Sequence, residues 1–529
     1  MRISRQVAIG GLAVVVMLGS AARASAQTCD TAPSSAPHTL CLKSGDASTW
    51  WNEAGITTAS QPGSWQTQPT FFPPDVAYPR FPLPAGDEKY AVLQGRRIKG
   101  YVDEITGISR KSRDDGNQYW GRLTGSPYDH QTTEWVAAQL RRVGVQDVRL
   151  QKFDIPPKWW PTSWEVTVTG GGRTIPLTSA FPHDGAQSAT VDLDPVWVGL
   201  GTPADFEGRD VRGKAVLVYG IPTPGGQNYS AGWSGAVQRA RDAGAGAVLM
   251  VLGYPGNHMN HGGGSPQASS LTFSLGMDDG MAVREMIEKK QAPKVHIRLA
   301  VETRANLSTY SVWGVIPGMT DENILIMAHT EAPFQGALDN ASGMGTMIEL
   351  AQYYASLPRE QRRRTITFLT TSCHHTPCPD AGIDWVRKNM VPFFDKTALI
   401  LNAEHTASMQ HEFIGPNLVG STAIAPRRWY MQGSDELKEL ITKTFHDYGV
   451  AVYSRPAVGS GGELGPLRGL APGFHVLSDI FYHTTLDIPE YIPEAGLESV
   501  VRAYAKVIDE VNKMDLDRLR SNLGTTTSF

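Results

Sequence analysis

The sequence predicts an α/β fold: a mixed, mostly parallel sheet flanked by helices, interrupted by a smaller β-rich unit. From 305 to 515, short apolar runs alternate with runs of helical period, the pattern of strands joined by helical crossovers. Between 165 and 304 this gives way to closely spaced apolar runs and turns. A chain of 529 residues also exceeds the size at which one hydrophobic core keeps growing, so more than one domain is expected.

The first element is not part of the fold. Arg2 and Arg5, an apolar core from Val7 to Leu18 and Ala24-Ser-Ala26 read as a secretory signal peptide, 1–26, with a core too short to span a bilayer. Losing Arg2, Arg5 and Arg23 with it takes the formal net charge from −4 to −7. Charges of both signs are scattered rather than blocked, so no nucleic-acid partner is expected. No later run is long enough for a transmembrane helix, and the expected location is secreted or periplasmic. Residues 27–115 are rich in Pro, Trp and turn residues and read as an extension packed over the main domain.

The first part of that main domain is 116–164. Its opening, Arg122-Leu-Thr-Gly-Ser-Pro127, precedes a helix over Thr132–Val143 ended by Gly144, then a strand over Val148–Ile155. The β-rich unit, 165–304, contains a turn and buried strand over Asp210–Gly220, a short helix over Ala236–Ala243 and a buried strand over Ala245–Leu252. This order resembles the protease-associated domain, a lid module inserted in several secreted peptidases. The rest of the main domain is 305–515. Strands are predicted over Ile324–Ala328, Thr365–Thr371 and Ala398–Leu401. Helices are predicted over Met347–Ala355, stopped by Pro358, and over Leu497–Asn512. Residues 516–529 form a tail. The 54 Gly and 35 Pro show no repeat period.

In such a sheet, ligands gather beyond the carboxyl ends of the strands. His329, His374-His375 and Glu404 each follow one of the predicted strands, and Asp339 opens a helix-like stretch. Imidazole and carboxylate are donors that a borderline divalent cation takes. Four cysteines, an even number, fit an oxidising compartment. The local pairs Cys29 with Cys41 and Cys373 with Cys378 are the simplest bridges; thiolate metal ligands are the alternative. A Cys373–Cys378 bridge would contribute roughly 2 kcal/mol by chain entropy and fix the His374-His375 pair. His405 and His411 read as surface or core histidines rather than spare ligands, and Trp50-Trp51 and Trp159-Trp160 as packing residues rather than a ligand platform.

With Gly336-Ala-Leu-Asp339-Asn-Ala-Ser-Gly343, the Arg122–Pro127 opening and Tyr482-His483-Thr484 with Asp487 in view, the chain resembles the co-catalytic zinc aminopeptidases. That family includes leucyl aminopeptidases, glutamate carboxypeptidases, the transferrin receptor and glutaminyl cyclases. The resemblance covers roughly 120 to 515. It implies that His329 is the first ligand, Asp339 the bridging ligand and His483 the last. His374-His375 occupies the place of a Glu-Glu pair whose first member is the general base and second a ligand. Glu404 falls where the family has Asp, Glu331 replaces an Asp behind the first ligand, and Glu463 replaces an Asp in a substrate-side loop; Tyr482 lies beside them.

One carboxylate is thereby lost from the ligand shell, which makes two adjacent dications harder to hold. One or two Zn²⁺ are expected, with Fe or Cu as the alternative, because His375, His483 and Asp339 form a two-imidazole, one-carboxylate set. Three functions are compatible with this. The first is a metal-dependent hydrolase of an amide or peptide bond, with His374 as base and a small-molecule or peptide substrate. The others are a metal-dependent oxidoreductase or lyase, and a non-catalytic binding protein. No membrane partner is expected after signal cleavage, and the sequence does not fix the oligomeric state.

Overall fold

The alternation of strands and helices is realised in a seven-stranded sheet. Its strands in chain order are Gln146–Ile155 (β1), Leu307–Ile316 (β2), Asn323–His329 (β3), Thr365–Thr371 (β4), Thr397–Asn402 (β5), Arg428–Gln432 (β6) and Gly473–Leu477 (β7). Their order across the sheet is β6-β7-β5-β3-β4-β2-β1. The central four, β7, β5, β3 and β4, run parallel, and antiparallel strands close both edges. The computed structural model describes residues 72–220, 233–261, 271–376, 378–414, 417–453, 462–477 and 481–523, all within one unit, Ser60–Phe529. The predicted signal peptide, Cys29, Cys41 and Trp50-Trp51 lie outside the described residues.

β3 is apolar along its length because both faces are covered. Ile324, Ile326 and Ala328 point into a large helical core, whereas Leu325 and Met327 point into a second core with Trp313, Leu369, Phe394 and Leu467. Such continuous hydrophobicity marks a strand buried on both faces. The large core is built by helices Gly95–Asp114 (α1), Pro127–Arg142 (α2), Gly343–Ser356 (α3), Asp435–Asp447 (α4) and Glu494–Val511 (α5). α2 is capped by Ser126, whose hydroxyl accepts from the Asp129 N–H, with Pro127 in its first turn.

Two segments differ from expectation. The last third of 27–115, read as part of an extension rich in turn residues, holds a 20-residue helix, α1, whose Ile98, Val102 and Ile105 are fully buried. The start of 516–529, read as a tail, is a short helix, Leu516–Arg520, docked through buried Leu519 and the bond from Ser434 N–H to its carbonyl.

The β-rich unit leaves and re-enters the main domain through two long paired strands, Lys158–Gly170 and Lys294–Arg304, which belong to a four-stranded sheet. A five-stranded sheet contains Ala215–Gly220 and Ala247–Leu252, paired in parallel. Its core is continuous with Tyr119, Trp120 and Phe334 of the main domain. No helix among the described residues is long and apolar enough to cross a membrane.

Candidate metal centre

Parallel strands in register deliver their carboxyl ends to one edge. His329 closes β3 opposite Thr371, the last residue of β4, and Met327 faces Asn402, the last residue of β5. Three following loops therefore start side by side, carrying His329 to Asp339, Cys373 to Cys378 and Ala403 to His405. The turn after β7 brings His483. Asp339 reaches the same point because the chain reverses at Gly336, which has φ 56°; a Cβ there would overlap Ala332 and the Asp339 carbonyl. Asp487 fixes that turn, accepting from the Leu338 N–H at 2.6 Å and the Asp339 N–H at 3.1 Å. Buried Arg122 donates to the carbonyls of Thr330, Gln335 and Gly336, tying down the loop between His329 and Asp339.

Asp339 is the centre of the constellation. Its Oδ1 is 3.0 Å from His329 Nε2 and 3.1 Å from His405 Nε2, while Oδ2 is 3.1 Å from His375 Nε2 and 3.2 Å from His483 Nε2. Glu404 Oε1 joins the first side, 3.9 Å from His329 Nε2. His374 stacks on His329, ring centroids 4.2 Å apart, with its Nδ1 2.9 Å from Glu463 Oε1 and its Nε2 3.6 Å from Glu404 Oε1. Asn402 donates to Glu404 Oε2 at 2.7 Å, and His475 stands 3.6 Å from the same oxygen.

Backbone geometry holds the histidine pair. Glu331 Oε1 accepts from the peptide N–H of both His374 and His375, and Cys373 and Cys378 form a disulfide around them. Asp129 knots the strand ends, taking bonds from the Gly125 N–H and the hydroxyls of Thr309 and Ser372. The β-rich unit clamps the remaining ligand. His261 N–H donates to the His483 carbonyl at 2.8 Å, His261 O lies 3.2 Å from His483 Nδ1, and Asn260 Nδ2 donates to the carbonyls of Tyr482 and His483.

Burial opposes ionisation of Asp339, but His375, His329 and His405 outweigh it and hold its pKa well below the usual carboxylate value. Burial likewise opposes protonation of His374, yet Glu463, then Glu404 and Glu331, raise its pKa well above the ordinary imidazole range. His483 is pushed down to about 4 by burial, despite Asp339. Asp487 is pushed up to about 7 by burial and by Asp339.

His329, Asp339, His374, His375, Glu404, Glu463 and His483 thus converge, with Glu331 behind the histidine pair and Tyr482 stacked on His483 at 3.5 Å. His405, read as a surface or core histidine rather than a spare ligand, is fully buried and faces Asp339. His411 lies apart, against Phe72, Phe481 and Tyr491. Trp159 and Trp160 do more than pack; they line a cavity that also touches His375. Asn260, His261 and Tyr119 left no signal in the sequence, since only the docking of the β-rich unit brings them here.

Both Asp339 oxygens and the Nε2 atoms of His329, His375 and His483 make no hydrogen bond despite separations of 3.0–3.2 Å between ring and carboxylate. Buried polar atoms are rarely left so. Close but misaligned nitrogen and carboxylate donors match a shared cation, and the donor set suits Zn²⁺.

The family model for Peptidase family M28 matches residues 311–508, which hold the entire cluster. Aminopeptidase YwaD of Bacillus subtilis is 23% identical over 256 residues, 47% of this chain and 50% of its own length. A probable leucine aminopeptidase 2 of Trichophyton verrucosum is 22% identical over 273 residues, 51% of each chain. The chain therefore spans about half the length of the curated relatives it matches. In fold it is similar to a peptidase M28 precursor from Shewanella amazonensis, with TM-score 0.62, 16% identity and coverage of 84% of this chain and 100% of that one. It is also similar to a zinc aminopeptidase of Bacillus subtilis, with TM-score 0.54, 16% identity and coverage of 82% and 99%. Across residues 311–508, the stretch that carries the whole histidine–carboxylate cluster, the chain thus matches the model of Peptidase family M28.

Proposed function

We propose that the chain is a secreted metal-dependent hydrolase of a peptide or amide bond, with Zn²⁺ held at two positions that share Asp339. The observation that carries this is the division of labour at Asp339: one oxygen faces His329, His405 and Glu404, the other His375 and His483. A metal bound there supplies a Lewis acid and a water whose pKa falls to about 7. The residues around it do the rest. His374 is the proton carrier: its Nδ1 engages Glu463, which orients the ring and leaves Nε2 to take and return the proton. Glu331 sets the positions of His374 and His375 through their peptide N–H groups. Secretion is supported by the disulfide in the site loop and by the leader-like sequence of 1–26.

The test is metal content and turnover in the same preparation. Zinc-reconstituted protein should hold two ions and hydrolyse aminoacyl amides or short peptides. Asp339→Asn should lose both ions, and His374→Ala should keep them while losing activity. Metal-free parent protein with no turnover after reconstitution would refute the proposal. The His375, His483 and Asp339 set also suits Fe²⁺, and dioxygen consumption by iron-loaded protein without amide hydrolysis would favour that second reading.

A further inference from the structure

Beside the cluster lies a cavity of about 460 Å³, within the size range of small-ligand sites. His375 and Glu331 form part of its lining on the metal side, while Tyr119, Trp159, Trp160 and Pro333 supply apolar walls. Trp159 and Trp160 lie 6.1 and 5.2 Å from the Tyr119 ring, both edge-on, and Trp160 is braced from behind by the Arg304 guanidinium at 4.2 Å. The Trp159 indole N–H is spent on the Ala186 carbonyl. These surfaces therefore offer ring faces and edges for a bulky apolar group.

Lys158 is the one lysine or arginine among the described lining residues. It is mostly buried at the start of the strand that enters the β-rich unit, and its ammonium donates to the carbonyl of Thr376, the residue after His375, at 3.3 Å. A cation set in apolar walls one residue from a candidate metal ligand binds an anion more strongly than a neutral acceptor, because charge-assisted bonds are roughly twice as strong. Burial also pushes the Lys158 pKa down to about 8, against the pull of Asp184 and Glu331. A bound anion would reverse that penalty. Asp184, which accepts from the Tyr119 hydroxyl at 3.4 Å, and Glu331 also line the cavity, so a single carboxylate matches the walls better than a diacid.

We infer that Lys158 anchors a free carboxylate of the substrate, with an aromatic or bulky apolar group against Trp159, Trp160 and Tyr119. The substrate class is then a short peptide or N-acyl amino acid presenting its carboxyl end to the cavity. The assignment rests on the metallohydrolase reading only for turnover, since the binding preference belongs to the cavity alone.

Calorimetric titration of the metal-loaded full chain with N-acetyl-phenylalanine and with its C-terminal amide tests it. The parent should bind the carboxylate at least tenfold more tightly; Lys158→Met should bring its affinity down to that of the amide, and Lys158→Arg should restore part of the difference. Equal affinities in the parent, no binding of either probe, or an intact preference in Lys158→Met would overturn the assignment. Hydrolysis of N-acyl dipeptides, with free or amidated ends, is measured in parallel. A carboxylate preference without turnover refutes the hydrolase reading and leaves Lys158 in place; turnover blind to the carboxylate refutes Lys158 alone.

Discussion

The bridge between Cys373 and Cys378 encloses the two histidines on which the proposed chemistry turns, with four residues between the sulfur-bearing positions. Closing so short a loop limits the open conformations by about 2 kcal/mol in the chain-entropy model. If the loop must be closed for His375 to face Asp339, opening it costs metal affinity by the same amount, roughly thirtyfold. The melting temperature is a poor readout. A unit of this size has an unfolding entropy on the order of 1 kcal/mol/K, so a loss of about 2 kcal/mol shifts the midpoint by only about 2 °C. The assay is therefore competitive zinc titration against a chromophoric chelator, comparing the oxidised protein with Cys373→Ser/Cys378→Ser. The expected result is a ten- to thirtyfold weaker affinity for the position served by His375, with the position served by His329 little changed. Affinities equal within about twofold would refute the reasoning. Glu331, through its bonds to the His374 and His375 N–H groups, would then suffice to hold the loop without the bridge.

Asn260→Ala removes two bonds to the turn that carries His483 without touching a ligand, and should weaken zinc affinity by about ten- to a hundredfold. An unchanged zinc titration would show that the bonds of His261 and Met259 suffice to hold the turn. Chelation should lower the melting temperature, and zinc at a hundred times its dissociation constant should return about 2.7 kcal/mol; a metal-independent midpoint by calorimetry would count against the centre. His411 is buried and its pKa is pushed down to about 3 by desolvation, so it is neutral in the folded chain. Its folded value lies below the unfolded one of about 6.5, so the unfolded chain takes the extra proton. Stability is full above that value and lost as pH falls through the window from about 6.5 towards 3, by about 2 kcal/mol at pH 5. Urea midpoints at pH 7 and 5 should therefore diverge less in His411→Gln than in the parent; identical divergence would rule out this source.

Strand positions were legible because burial on both faces leaves continuous apolar runs, as in Ile324–Ala328, and because register then carries the residues after each run to one edge. Helix α1 was overlooked although Ile98, Val102 and Ile105 repeat at helical spacing. It begins at Gln94 without a side-chain cap and lies in a stretch rich in Pro and Trp, so its start signal is weak. His405 left a weaker signal for a different reason. Adjacent residues on an extended strand point to opposite faces, so Glu404 at the site would turn His405 away from it. The strand, however, ends at Asn402, and His405 has φ 45°, which turns both side chains towards Asp339. No local pattern reports such a turn.

The same turn bears on the charge of the site. Counted along the sequence, replacing a Glu pair by His374-His375 leaves the ligand set short of a carboxylate, an argument against two closely spaced dications. In the folded chain Glu463 reaches His374 at 2.9 Å and shares a cluster with His329 and Glu404, while Glu331 lies directly behind the pair. Gly462 allows this approach, since a Cβ there would collide with Glu404 Oε2. Carboxylates thus stand one layer behind 374 and 375, brought there by residues distant in sequence, but each takes the place of an Asp in the family pattern and adds no charge. On the proposed assignment the second metal is therefore held with one ligand carboxylate fewer. What the histidines change is the identity of the proton carrier, from a carboxylate to an imidazole with a carboxylate behind it.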